Sequence, residues 1–240
     1  MEDRDLKMWS YRIVHDKQFA PNPFKGVLTL ATCKPLIRRS KESESGVWLA
    51  GFAAYSVKDG LRPKKGRELL IYLAKISEVM TMQDYWKEYP QKRAQKCGEE
   101  FEEHYGDNIY DENLRLVNDN NHGEWDFKRD ISGKNVLICK EFYYFAPDSR
   151  LVVPNEFEEL VYKRRGQTLV QNNDLIQKFI DYVRSCAKDD FGKQQGILGD
   201  IKRIEYSTGG NCSSSGTPTL SSGCGVSSQQ LPKNHKNSCG

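Results

Sequence analysis

One stretch of the chain concentrates reactive side chains: His15-Asp-Lys-Gln-Phe-Ala-Pro-Asn-Pro-Phe-Lys-Gly-Val-Leu-Thr-Leu-Ala-Thr-Cys-Lys-Pro35. It offers an imidazole, a carboxylate, an amide, a thiol and an ammonium. A thiolate needs a nearby base or cation to form at neutral pH, so Cys33 as nucleophile with His15 as base and Asp16 orienting it is one catalytic reading. The other reading makes Cys33 a small buried apolar residue and His15 a hydrogen-bonded structural group. The same residues can instead bind. Asp16 and Asn22 suit the hydrogen-bonding edge of a base, Lys34 and Arg38 suit phosphate, and Phe19 and Phe24 supply apolar walls.

Position depends on the loop that carries these groups. Pro21 and Pro23 fix φ near −65° and push Ala20 and Asn22 toward extended geometry, so the segment reads as a stiff loop following a strand at Met8 to Val14. Gly26 to Thr32 reads as a second strand or a short helix. Gly46-Val-Trp-Leu-Ala-Gly-Phe-Ala-Ala-Tyr55 is β-prone, and Gly51 within it marks a bulge or a close backbone approach. Glu68-Leu-Leu-Ile-Tyr-Leu-Ala-Lys-Ile76 is apolar enough for a strand buried on both faces, paired with the Gly46 run through a turn at Asp59-Gly60 and Pro63.

Thr81 to Tyr105 reads as charged helix with Thr81 as N-cap and a break at Pro90. Asp107 to Asp130 reads as a long polar surface loop in which His122 and Trp125 are ligand contacts or simply exposed. Lys134 to Phe145 returns to β pattern and ends in four aromatic residues. Trp48, Tyr55 and Tyr143 are the stacking candidates, because every base has a π face and Trp and Tyr rings also carry a polar handle. Asn155 and Glu158 after Pro154 resemble a capping box. Leu175, Ile176, Phe179, Ile180 and Val183 recur at helical spacing behind Asn173 as cap.

Strands first, then helix, loop, strand and helices favour α+β with a mixed or curled sheet over an alternating parallel fold. Residues 1–206 form a single domain. Residues 207–240 are rich in Ser, Gly and Cys, have too little apolar surface to order, and form a disordered tail.

Composition narrows the classes. The 240 residues hold 36 basic and 33 acidic side chains; without Lys233 and Lys236 of the tail the body is near neutral. Loose duplex binding, which runs on phosphate neutralisation, is therefore disfavoured. The local clusters Lys34/Arg38/Arg39/Lys41, Arg62/Lys64/Lys65/Arg67 and Lys163/Arg164/Arg165 can still hold phosphate. No apolar run approaches the roughly 18 residues of a membrane span, and no secretory leader is seen, so a cytoplasmic location is expected. Seven cysteines without a C-x-x-C pair argue against a disulfide framework. Cys212, Cys224, His235 and Cys239 are too widely spaced for the short hooks of a zinc site. No metal or cofactor is expected. The glycine-rich phosphate loops, H-E-x-x-H and G-x-S-x-G are all missing, which sets aside the enzyme classes they mark.

The His15–Pro35 motif, with Ile37-Arg38, Gly46-Val-Trp-Leu-Ala-Gly51, Glu68 to Tyr85 and Val136-Leu-Ile-x-x-x-Phe-x-Tyr-Phe145, resembles the nucleotide modification associated domain 2 family from about Met8 to Asp189. That resemblance implies a role in systems that modify nucleotides or handle modified ones, often in bacterial and phage settings including defence. The Gly46–Ile76 pair also resembles PUA-like barrels of the EVE and YTH kind, which read a modified base in an aromatic pocket; this is fold-level analogy. The function expected is binding or processing of a nucleotide or modified nucleobase, free or within nucleic acid. The alternative is an enzyme of transfer or hydrolysis using His15 and Asp16 or Cys33.

Overall fold

The computed structural model describes residues 5–93, 105–117, 122, 124–162 and 166–201. The Lys163/Arg164/Arg165 cluster, the tail with its cysteines, and most of the segment after Arg93 expected to be helical lie outside them.

Among the described residues, two sheets form, and an antiparallel strand pair of one runs on into a pair of the other. Strand β1 (Met8–Ile13) runs parallel to β3 (Trp48–Ala53), which pairs antiparallel with β4 (Glu68–Lys75). The seven-stranded sheet continues through β7 (Glu141–Phe145) to β10 (Gly196–Leu198) on one side and to β9 (Gln167–Val170) on the other; β8 (Leu151–Val153) also pairs with β4. The second sheet orders β2 (Leu28–Leu30), β6 (Asn135–Cys139) and β5 (Glu78–Thr81). Lys75 faces Glu141 in the first sheet and Glu78 faces Ile138 in the second, so β4–β5 and β6–β7 act as one long antiparallel pair bent at Ile76–Ser77 and Lys140. The fold is α+β, as expected, but the large sheet ends in two open edges, β10 and β9, and does not close into the barrel that the PUA-like resemblance suggested.

Three apolar layers follow from this bend. Met8, Trp48, Phe52, Leu73, Tyr143 and Phe145 face helix α4 (Asn173–Phe191), which buries Ile176, Phe179, Ile180 and Val183 against them. Tyr11, Leu49, Tyr72 and Tyr144 face the opposite way, toward Leu28, Leu30 and Leu137 of the second sheet. Phe19, Val27, Tyr85, Ile109, Tyr110, Val136 and Ile138 fill the far side of that sheet, beside α2 (Met82–Glu88).

Several local rules are visible in the result. Thr81 caps α2 by accepting from the Asp84 amide at 3.1 Å. The cap of α4 is Asn172 rather than Asn173; Asn173 instead accepts from the Leu6 amide at 2.8 Å, tying the helix to the entry of β1. The Asn155–Leu160 segment is 3-10 helix with Pro154 before it, and no side-chain cap forms. Residues of the polar Asp107–Asp130 stretch do not form one loop: helix α3 (Glu124–Ile131) occupies its end.

Gly51 is the close-approach position. The β3–β4 register shifts between Gly51 and Phe52, and a Cβ at Gly51 would lie 2.3 Å from Tyr72 Cε1 and 2.6 Å from Ile13 Cδ1. Both neighbours are core side chains, so Gly51→Ala is expected to destabilise the protein by about 1–3 kcal/mol through overpacking. A urea midpoint equal to that of the wild type would contradict this.

Candidate active site

Cys33 follows β2 and lies just before the N-cap Lys34 of a four-residue helix, α1 (Pro35–Arg38), in which Pro35 supplies the fixed φ of the first turn. Cys33 and Lys34 both have left-handed backbones, φ 54° and 38°. Non-glycine residues in that region cost about 1–3 kcal/mol each and persist only where the surroundings impose them. Arg38 is what imposes them. Its guanidinium is fully buried and donates from Nε to Cys33 O at 2.8 Å, from Nη1 to Asn135 O at 2.8 Å, and from Nη2 to Asp130 O. Gly133 makes room for it: a Cβ there would lie 2.4 Å from Arg38 Cζ.

The bend brings Cys33 to the end of α3. Cys33 Sγ lies 3.6 Å from His122 Nε2, and His122 Nδ1 lies 2.6 Å from Asp130 Oδ2. The Cys33 amide donates to Asp130 Oδ1 at 2.9 Å, and Tyr110 OH donates to Oδ2 at 3.0 Å. Phe19 packs edge-on against the His122 ring with centroids 4.8 Å apart. Burial alone would raise the Asp130 carboxyl, but the His122 hydrogen bond and charge, the Cys33 amide and Arg38 together hold it below the ordinary carboxylate range. An ionised Asp130 accepting from Nδ1–H turns Nε2 toward the thiol, so that one proton can sit on either Nε2 or Sγ. This is the nucleophile, base and orienting carboxylate arrangement of acyl- and alkyl-transfer enzymes.

These three residues also form the cluster of ligating atoms, all within 4.8 Å, best suited to a metal among the described residues. Cys33 and Asp130, however, address opposite nitrogens of one imidazole. A single ion could take all three only if the ring turned, so the arrangement fits proton relay better than metal binding.

The other sequence candidates fall in different places. His15 is half-buried just past β1, and the imidazole beside Cys33 is that of His122. Asp16 is buried, accepting from Tyr144 OH at 2.6 Å and Arg150 Nη2 at 3.2 Å; burial raises its carboxyl, and those two donors offset part of the rise. Asn22 is buried too. Its amide donates to Gln18 O at 3.1 Å and to Tyr105 O, and its Oδ1 accepts from Lys92. Phe24 packs near Tyr105. Arg38 is spent on backbone carbonyls. Lys34 Nζ donates to Arg12 O at 3.2 Å and sits 4.7 Å over the Tyr11 ring. Trp48 and Tyr143 are core residues under α4, with 2% and 3% of their surface exposed, which leaves little ring face for a base. Tyr55 is exposed.

The proline loop is shaped by a residue that sequence reasoning passed over. Lys92 is buried, and its ammonium donates to Asn22 O at 3.1 Å, Asn22 Oδ1 at 2.6 Å, Phe24 O at 2.8 Å and Val27 O at 2.8 Å. Nearby Asp107 accepts from Thr29 at 2.8 Å and Tyr85 at 2.6 Å; burial raises its carboxyl, and the Lys92 charge counters this first. Asp130 was missed as well, because seven residues separate it from His122 and nothing local pairs them.

Two outcomes follow. Lys92→Met leaves the loop carbonyls and Asp107 uncompensated and is expected to cost about 3–5 kcal/mol in urea unfolding, as for a broken buried charge network; a change below about 1 kcal/mol would show that the loop is held otherwise. For Asp130, a carboxyl lowered in the folded state contributes stability that is present above its unfolded pKa and lost as pH falls through the folded one. Between about pH 6 and pH 3 the wild type should therefore lose more stability than Asp130→Asn. Parallel profiles would refute the lowered carboxyl.

A family model described as nucleotide modification associated domain 2 matches residues 5–197. No curated protein and no solved structure matches the chain. Among the described residues, no helix is long and apolar enough to cross a membrane. The family match spans both sheets, Cys33, His122, Asp130 and helix α4, and on that coverage the chain belongs to the nucleotide modification associated domain 2 family.

Proposed function

We propose that the protein is an enzyme of nucleotide modification that works through a covalent intermediate on Cys33. The observation that carries this reading is the Cys33–His122–Asp130 constellation, supported by family membership. His122 Nε2 takes the Cys33 thiol proton while Asp130 holds Nδ1–H and stabilises the imidazolium. The thiolate attacks an electrophilic carbon of the nucleotide or its modifying group, and His122 returns the proton to the departing atom. Water or a second acceptor, deprotonated by His122, then attacks the same carbon and releases Cys33. Protons, leaving group and nucleophile balance over the two steps, and no outside oxidant or reductant enters. The chemistry is transfer or hydrolysis, with His122 rather than His15 as base.

Phe19, edge-on to His122, holds the ring in the relay. The buried Arg38 holds the strained Cys33–Lys34 backbone and so fixes the thiol beside His122. A modified base as the group acted on and a bacterial or phage defence setting are part of the same proposal and rest on the family resemblance, whereas the cytoplasmic location proposed with them rests on the sequence patterning.

The test supplies the purified protein with nucleoside monophosphates and with nucleosides or nucleic acid bearing modified bases, and follows both by mass spectrometry. Conversion of one class is expected with the wild type, none with Cys33→Ala, and a rate about 10²–10⁴-fold lower with His122→Ala, the range for loss of a general base. Conversion that persists in Cys33→Ala would overturn the covalent reading.

A further inference from the structure

Trp125 is the most exposed large apolar side chain among the described residues, with 99% of its surface in water. A single exposed apolar residue on an ordinary surface would need no explanation; the surroundings of Trp125 are what give it one. It stands in the first turn of α3, on the face opposite Phe127, Asp130 and Ile131, which pack inward. Lys128 follows three residues on, so the two share the outer face, and both are exposed. Asp126 beside them is paired with Arg129 at 2.5 Å, and the pair adds no net charge.

The far end of α3 is joined to α1. Arg38 Nη1 donates to Asn135 O at 2.8 Å, and Asn135 Nδ2 donates back to Arg38 O at 3.2 Å. That exchange brings Arg39 and Lys134, the chain neighbours of the two residues, to one stretch of surface, where both are exposed. Arg39, Lys128 and Lys134 make no ion pair and no side-chain hydrogen bond among the described residues. Leu36 on α1 is 52% exposed. The two helices thus present a ridge with one bare indole, one exposed leucine and three uncompensated cations.

We propose that this ridge binds a single-stranded polynucleotide, with an unpaired base stacked on Trp125 and the phosphates along Arg39, Lys128 and Lys134. An aromatic ring set among cations suits such a strand, because every base has a π face and a duplex keeps its faces stacked away. A carboxylate-rich protein would satisfy the cations but give the indole no flat partner. The same two helices hold the Cys33 centre: Asp130 belongs to α3, His122 precedes it by two residues, and Cys33 precedes α1 by two. Cys33 and His122 are only 7% and 5% exposed, so a base on the ridge reaches the thiol by leaving its stack. That the strand is also the substrate, in place of a free nucleotide, rests on the covalent reading above; strand binding itself does not.

Fluorescence anisotropy of a labelled oligothymidylate titrated with the full chain tests it, beside a duplex of the same length and across a salt series. Saturable binding of the single strand is expected, about tenfold or more tighter than the duplex. Trp125→Ala should weaken it about fivefold or more, as for loss of one stacked base, and Trp125→Phe should recover most of that loss. Replacing Arg39, Lys128 and Lys134 together by Ala should flatten the salt slope by about 2, at roughly 0.7 per phosphate contact on a single strand. All four positions are exposed, so each variant should keep the wild-type urea midpoint. Absence of saturable binding, equal affinity for the duplex, or full affinity in Trp125→Ala would each overturn the inference. Cys33→Ala should bind as the wild type does. Trp125-dependent strand binding by a protein that converts nothing would uphold the ridge and defeat the covalent reading; conversion of mononucleotides without strand binding would do the reverse.

Discussion

A single buried carboxylate gathers the candidate active site. Asp130 takes hydrogen bonds from the His122 ring, the Cys33 amide and the Tyr110 hydroxyl, while its own backbone carbonyl is held by Arg38. These donors come from three separate parts of the chain: the Cys33–Arg38 turn, Tyr110 and His122. An ionised carboxylate buried this deeply is unfavourable unless its donors are in place. The cost makes the arrangement cooperative: the ring orientation of His122, the strained Cys33 backbone and the seat of α3 are all conditions of keeping one charge out of water. Under the proposed function the same geometry activates the Cys33 thiol. Stability and reactivity thus rest on one group.

The large sheet supplies the distance and the rigidity. Bending β4–β5 and β6–β7 as one pair stacks the second sheet on the first, and β2 leads from that sheet directly into Cys33. The proline loop lies beneath, with its carbonyls turned inward around the Lys92 ammonium and Phe19 pressed against His122. Its polar residues are therefore structural. Asn22 and Asp16 are fully engaged inside the protein, and the loop contributes to the site by positioning Phe19 and, through β2, Cys33.

Much of the scaffold was legible in the sequence because its signals are local. The β3–β4 pair, the close approach at Gly51, the Thr81 cap and the amphipathic stripe of α4 each follow from spacing or residue type within a few positions. Short edge strands such as β5, β9 and β10 lack enough residues to show a period, and α3 is masked by the charged sequence around it. The site was half legible. Cys33 stood out by its type and its neighbours, whereas its partners lie 89 and 97 residues away, and only the bend of the sheets joins them. Sequence proximity favoured His15 as base; tertiary structure places the His122 imidazole beside the thiol. Trp48 and Tyr143 looked like stacking platforms because aromatic residues serve cores and pockets equally well, and alternation placed both against α4.

The central claim is that Cys33 is activated by His122 as oriented by Asp130. The most direct measurement is the rate of Cys33 alkylation by iodoacetamide as a function of pH, read by peptide mass spectrometry in wild type, His122→Ala and Asp130→Asn. Activation by the relay predicts that wild-type Cys33 reacts well below the ordinary thiol range of about pH 8.5, and that both variants push the profile upward toward that range. A wild-type profile that already follows an ordinary thiol, or one that neither substitution moves, would contradict it.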